Sequence, residues 1–156
     1  VLLSSILASL LDPQAPAGKC QSEGAAAMAV RRVAEGIVAA DNGRDIERVR
    51  SSYAPDAILL PPSEAPVRGW DAIRPRYDAL FSAFSPAIEG HIDEVCVSGA
   101  IAYVRGRNGG RLAARGQALG RALDDAYLML LRRGDGGRWE ITHLMWHAAS
   151  PPASRD

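Results

Sequence analysis

Residues 124–147 read DDAYLMLLRRGDGGRWEITHLMWH, and the fold turns on them. From Asp125 the chain alternates: Asp125, Tyr127, Met129 and Leu131 share one face of an extended strand, while Asp124, Ala126, Leu128 and Leu130 share the other. Gly134-Asp135-Gly136-Gly137 then supplies turn residues. Arg138 to His147 resumes an extended, aromatic and β-branched run, so the stretch predicts a β-hairpin.

Working back toward the N-terminus, Ile88 to Val97 has a period of two and Ala100 to Arg107 is a further strand. Three glycines between Asn108 and Gly120 favour a loop-rich hairpin connection there. Earlier still the period becomes helical. Gly24 to Ala40 predicts a helix with Met28, Val33, Ile37 and Val38 on its apolar side, and Asp41-Asn42-Gly43 breaks it. Asp45 caps a shorter helix carrying Ile46, Val49 and Tyr53 on one face. Ala57 to Leu60 is a brief strand stopped by Pro61-Pro62, and a second extended stretch resumes at Pro66. Trp70 to Phe84 makes a third helix, with Ile73, Tyr77, Leu80, Phe81 and Phe84 as its stripe and Pro75 expected in or near its first turn. Helices followed by a run of strands indicate an α+β fold rather than a wound parallel sheet.

The 156 residues suit one domain, and 18 basic against 18 acidic side chains leave no net field to draw the chain onto nucleic acid or an anionic membrane. No apolar run reaches the length of a bilayer span. Neither a nucleic-acid nor a membrane partner is therefore expected. Residues 1–23 form an apolar N-terminal arm: Val1 to Leu11 lacks charge and precedes Ala15-Pro16-Ala17, which fits a signal remnant or an arm packed on its own domain. A cytoplasmic location is expected, with a secreted or periplasmic one following if the arm is a signal remnant. The domain proper is expected over 24–149, with a loose tail at 150–156. Two cysteines cannot make a disulfide framework, and Cys20 and Cys96 read as buried or idle thiols.

Three stretches carry a resemblance: Tyr53-Ala54-Pro55-Asp56-Ala57-Ile58-Leu59, Arg68-Gly69-Trp70-Asp71-Ala72-Ile73, and Gly137-Arg138-Trp139-Glu140-Ile141-Thr142-His143 with Trp146. In order and spacing they resemble the nuclear transport factor 2-like superfamily, which includes SnoaL-like cyclases, ketosteroid isomerase, limonene epoxide hydrolase and the calmodulin-kinase association domain. The resemblance implies a curved antiparallel sheet wrapped around three N-terminal helices as a cone with an internal cavity, commonly dimeric through the outer sheet face. It implies no single reaction.

The resemblance turns the Asp125 and Tyr127 face inward. A carboxylate and a phenol two residues apart on one strand face stand side by side, so Asp125 suits proton transfer and Tyr127 suits donation to a developing oxyanion. The alternative leaves Asp125 solvated and Tyr127 as ordinary core. Ketosteroid isomerase chemistry is disfavoured: Pro61 replaces its general base, Gly36 or Ile37 its helix-one tyrosine, and Met129 its strand acid. Epoxide hydrolysis needs two acids bridged by an arginine, of which Arg121 and Asp125 supply half. The SnoaL-like pattern of one acid/base carboxylate in an apolar pocket is contradicted least. Arg76, Tyr103 and Arg105 align near the cavity, as ligand contacts or as ion-pair partners of Asp125. Leu144 and Trp146 face the pocket beside Met129.

On the final strand, His143 and His147 are roughly 13 Å apart, too far to share one metal ion, so no metal site is expected. No cofactor is implied. With Ile141 and Met145 they make an outer face apolar enough to predict a homodimer. The leading reading is an enzyme of isomerase, cyclase, dehydratase or hydrolase type, using acid/base chemistry on a small apolar metabolite. The competing reading is a noncatalytic binding or association module whose working surface is the outer sheet.

Overall fold

The computed structural model describes residues 20–149, so most of the apolar arm and the tail lie outside the described residues. Helix α1 spans Gly24–Gly43 and buries Ala27, Val30, Ala34, Ile37 and Ala40. The buried face is thus chiefly an alanine stripe, which lets the helix axis approach the sheet closely. Met28, expected on that face, is 57% exposed. Arg44 closes the helix in the left-handed region, and its N–H bonds the Asp41 carbonyl at 3.0 Å. Helix α2, Ile46–Ser52, is capped as expected: Asp45 Oδ1 accepts from the Arg48 N–H at 3.0 Å. Tyr53 falls just beyond it, as the first residue of strand β1, Tyr53–Leu60.

A two-residue strand β2, Val67–Arg68, leads into helix α3, Trp70–Ala83. Gly69 caps α3 at φ 76°, a conformation glycine adopts freely, and its N–H bonds the Ala57 carbonyl at 2.8 Å. Pro75 lies in the second turn of α3 rather than the first, where it removes the donor that would reach the Asp71 carbonyl. Ile73, Tyr77 and Phe81 are the buried stripe of this helix.

Four longer strands and one short one complete the domain: β3 Phe84–Ser98, β4 Ile101–Ala114, β5 Gly120–Ala122, β6 Asp125–Arg133 and β7 Trp139–Ala148. The sheet runs β2-β1-β7-β6-β4-β3, with β5 on β4. All pairs are antiparallel except β1 with β7, so the sheet is mixed where a wholly antiparallel one is expected. The intervening α3 and strands supply the long crossover that a parallel pair requires. β4 also continues to Ala114, so the first half of the 108–120 segment is strand, not loop. It pairs with β3 along almost its whole length, which satisfies backbone groups that glycine-rich composition alone cannot place.

Register shifts at Ile92/Glu94 on β3 and at Leu130/Leu131 opposite β7 interrupt the ladders. Such bulges bend a strand and increase its twist, which curves this open sheet around the helices. The second shift also changes a face. Leu131 pairs with Ile141 while Leu130 pairs with His143, and Thr142 is the extra residue. Ile141 therefore turns inward and is fully buried, instead of sharing the outer face with Met145.

Cys20 and Cys96 form a disulfide, which replaces the expected pair of idle thiols. Gln21 and Val97 exchange both backbone hydrogen bonds beside it, at 2.9 and 3.0 Å. The entry segment is thereby fastened along β3, the strand at the far edge of the sheet.

Candidate functional site

The inner face of the sheet is set by alternation on three adjacent strands. On β6 it carries Asp125, Tyr127, Met129 and Leu131, of which the last three are buried. On β4 the inward positions are Ala102, Val104, Gly106 and Asn108, the first three of them buried. Leu144 and Trp146 complete it on β7, packed against the core. The ladders place Asn108 opposite Asp125, Gly106 between His91's strand and Tyr127, Tyr127 opposite Trp146, and Met129 between Val104 and Leu144.

Glycine at 106 is what lets Tyr127 lie across the sheet. A Cβ there would stand 2.5 Å from the Tyr127 hydroxyl oxygen. Burial pushes this phenol up to about 12, with the nearby charge of Asp93 adding to the rise. Asp125 is half-buried, and desolvation lifts its carboxyl above the usual range. Arg121, on β5, and His147 pull it back down, while Asp124 pushes it up. Asn108 Oδ1 is buried and has no hydrogen-bond partner among the described residues. It looks toward α1: Gly90, its partner on β3, lies against Val38, and a Cβ on Gly90 would stand 3.6 Å from that same oxygen. Asp125, Tyr127, Met129, Leu144 and Trp146 share this inner face with Asn108.

Three expected ligand contacts lie elsewhere. Tyr103 and Arg105 occupy the other phase of β4 and face outward. The Tyr103 hydroxyl donates to Glu94 at 2.7 Å, and Arg105 donates to Glu94 and Asp93, both at 3.3 Å. Arg76, on α3, reaches Glu64 in the loop between β1 and β2 in a two-pronged pair at 2.8 and 3.1 Å. None of these three cations or donors is paired with Asp125. On β7, His143 Nδ1 meets Thr142 Oγ1 at 3.2 Å, and His147 meets the Ala148 carbonyl at 2.7 Å.

Asn108 lies in the glycine-rich 108–120 segment, whose composition favours a loop; its in-phase position two residues after Gly106 becomes legible only because β4 runs on to Ala114. Asp41 reads in sequence only as a helix breaker. Asp41 Oδ1 is buried without a hydrogen-bond partner among the described residues, and burial lifts its carboxyl to about 7. Nearby, the hydroxyls of Tyr53 and Tyr77 meet at 2.9 Å, both rings are buried, and the charge of Asp41 helps raise both phenols.

The interior between α1 and the sheet is filled by one continuous core that includes Val30, Ile37, Val104, Met129 and Leu131. Two clefts open outside it. One of about 720 Å³ lies between Pro55 and the β6–β7 hairpin, lined by Arg132, Arg133, Asp135, Arg138 and Glu140. Another of about 430 Å³ lies where α1 and α2 meet Trp139. Neither is lined by Asp125, so the expected cavity with that acid at its base is not one of them.

Comparison with solved structures supports the architecture. A ketosteroid isomerase-like protein from Erwinia carotovora atroseptica SCRI1043 superposes with a TM-score of 0.72 at 24% identity, over 80% of this chain and 96% of that one. An NTF2-like protein of unknown function from Pseudomonas putida KT2440 gives 0.66 at 19% identity, over 84% and 92%. A conserved protein from Planctomyces limnophilus DSM 3776 gives 0.68 at 18% identity, over 76% and 91%. At these identities the likeness concerns the fold. No curated protein matches the sequence. The model of the SnoaL-like domain matches residues 30–147, three quarters of the chain, and its reach from α1 to β7 takes in every strand just described. The chain belongs to the SnoaL-like domain family.

Proposed function

We propose that the protein binds a small, largely apolar molecule at the end of the inner sheet face where Asn108, Asp125, Tyr127 and Trp146 meet, and acts on it by acid/base chemistry. The observation that carries this reading is the buried, unpartnered Asn108 oxygen opposite a carboxyl whose charge is already disfavoured by desolvation. A polar atom buried without a partner costs about 1–3 kcal/mol. A ligand donating to Asn108 offsets that cost and displaces water from Asp125. Asp125 then takes or returns a proton, and Tyr127, a phenol that holds its proton up to about 12, donates to the oxygen on which charge develops. Met129, Leu144 and Trp146 supply the apolar wall, and Arg121 tunes the acid from the rim. Thermal-shift screening of apolar cyclic hydroxyketones, hydroxylactones and enols, each with a hydroxyl to donate to Asn108, tests this: a hit that stabilises the native protein, loses its effect with Asn108→Ala and is no longer turned over by Asp125→Asn is expected. Hits indifferent to both substitutions refute the reading.

A second reading, association through the outer sheet face, is favoured by one observation. Ile101, Leu130 and Met145 on that face are 58%, 37% and 44% exposed. A second copy of the chain would cover them. Sedimentation as a dimer at micromolar concentration, converted to monomer by Leu130→Glu with Met145→Glu, is the expected outcome. A monomer throughout excludes it. The Cys20–Cys96 disulfide favours an oxidising compartment over the cytoplasm.

A further inference from the structure

The chain carries as many acidic as basic side chains, yet the charge around its clefts is unequal. In the cleft beside Pro55 the cations are taken: Arg132 is held by Asp56, and Arg133 donates to the Gly137 carbonyl at 3.2 Å. The cleft of about 430 Å³ is different. Arg32 from α1, Arg48 from α2 and Arg138 from the β6–β7 turn all line it, and among the described residues no acid does. The side chains of Arg32 and Arg48 make no hydrogen bond or ion pair among the described residues. Arg138 gives a single nitrogen to Glu140, at 3.2 Å. A guanidinium offers five N–H donors in a planar fork, so most of the donors here are left over. Ser51 and Ser52 also border the cleft, but both spend their proton on the Arg48 carbonyl, at 2.8 and 3.1 Å.

The floor below these cations is apolar. Ala29 and Val33 pack against the core, and the Trp139 ring is buried. Gly36 continues the same face of α1, since Ala29, Arg32, Val33 and Gly36 follow the three-and-four spacing of one helix side. Glycine inside a helix is costly, and no neighbour requires it here: a Cβ on Gly36 would meet nothing within 4 Å. Its bareness keeps the cleft open.

We propose that this cleft binds a phosphate monoester with a compact apolar body. Two uncompensated guanidinia match a head that carries close to two negative charges at pH 7, and their forked donors match its oxygens. Val33 and Trp139 face the body, and the volume suits a small ligand. The cleft lies at the Arg133–Trp139 end of the hairpin, the length of β6 away from Asp125, or roughly 26 Å. It shares no residue with the Asn108–Asp125 face, so either stands without the other.

The test is calorimetry on the whole chain with phenyl phosphate, set against inorganic phosphate, which lacks the body, and benzoate, which carries one charge. Phenyl phosphate is expected to bind about tenfold more tightly than either. Its affinity should drop as pH falls through about 6, where the phosphate takes up a proton and the guanidinia do not change. Arg32→Gln with Arg48→Gln is expected to weaken it about tenfold or more. Gly36→Leu fills the floor with a good helix former, and should abolish binding while the melting temperature holds or rises. A soaked crystal should place the phosphorus between Arg32 and Arg48. Absent binding of phenyl phosphate, or inorganic phosphate binding as tightly, overturns the proposal. Benzoate binding as tightly reassigns the cleft to carboxylates and overturns it too. So does binding that survives the paired arginine substitution or Gly36→Leu, or that is lost with Asp125→Asn.

Discussion

Asn108 and Asp125 stand opposite one another across β4 and β6, on the face that turns toward α1. Directly opposed residues of an antiparallel pair project to the same side, so an amide oxygen without a donor and a carboxyl resisting ionisation share one small region.

Asp125 is not bound to any cation by an ion pair among the described residues, which decides how its removal acts on stability. Its folded carboxyl titrates above the ordinary value, chiefly through desolvation. The folded state is then favoured while the group is protonated, and this stability is lost as pH rises from the unfolded carboxyl range through the raised folded value. Asp125→Asn is expected to be at least as stable as the parent at pH 7, with a flatter dependence of melting temperature on acid pH, and to lack turnover. A loss of several kcal/mol in a denaturant titration would instead mark the acid as a structural group.

Gly106→Ala is expected to dislodge Tyr127 and to strain the β3–β4 ladder, because the new methyl would press on the Tyr127 hydroxyl and on the His91 carbonyl oxygen. Overpacking of this kind costs roughly 1–3 kcal/mol. Once pushed toward solvent, the phenol should titrate closer to its ordinary value of 10.0 than to about 12. Ultraviolet difference titration of the variant against Tyr127→Phe reads this single group.

Asp41 should dominate the pH dependence of stability on the helical side. Its carboxyl is raised from 3.8 to about 7 by burial, so the folded state prefers it protonated, and stability falls as pH climbs between those values. A rise of three pKa units corresponds to about 4 kcal/mol. Asp41→Asn is expected to remove most of that decline and to exceed the parent in urea resistance at pH 8. Parallel pH profiles for parent and variant would contradict it.

Reduction of the Cys20–Cys96 disulfide, which closes a span of 76 residues, is expected to cost about 4 kcal/mol on chain-entropy grounds. The paired Cys20→Ser, Cys96→Ser variant should unfold at lower denaturant concentration by that amount. It should also be indifferent to reductant, and its β3 edge amide at Val97 should exchange faster.

What the sequence determined by itself is what short-range periodicity can carry. The alternation of Asp125 to Leu131, the Gly134–Gly137 turn, the Asp45 cap and the Ile73–Tyr77–Phe81 stripe each depend on neighbours a few residues away, and each is present in the fold. What only the tertiary structure decided depends on register and burial between distant segments. The bulge at Thr142 sends Ile141 inward, because a one-residue slip exchanges the faces of a strand. The phase of β4 carries Tyr103 and Arg105 to the outer surface and brings Asn108 against Asp125, and that phase is set by pairing with β3 and β6, not by local composition. Cys20 finds Cys96 across 76 residues, and Asp41 loses its solvent only once the chain has packed. A charge or an amide is ordinary while the chain is read along its length; desolvation is a property of the packed whole.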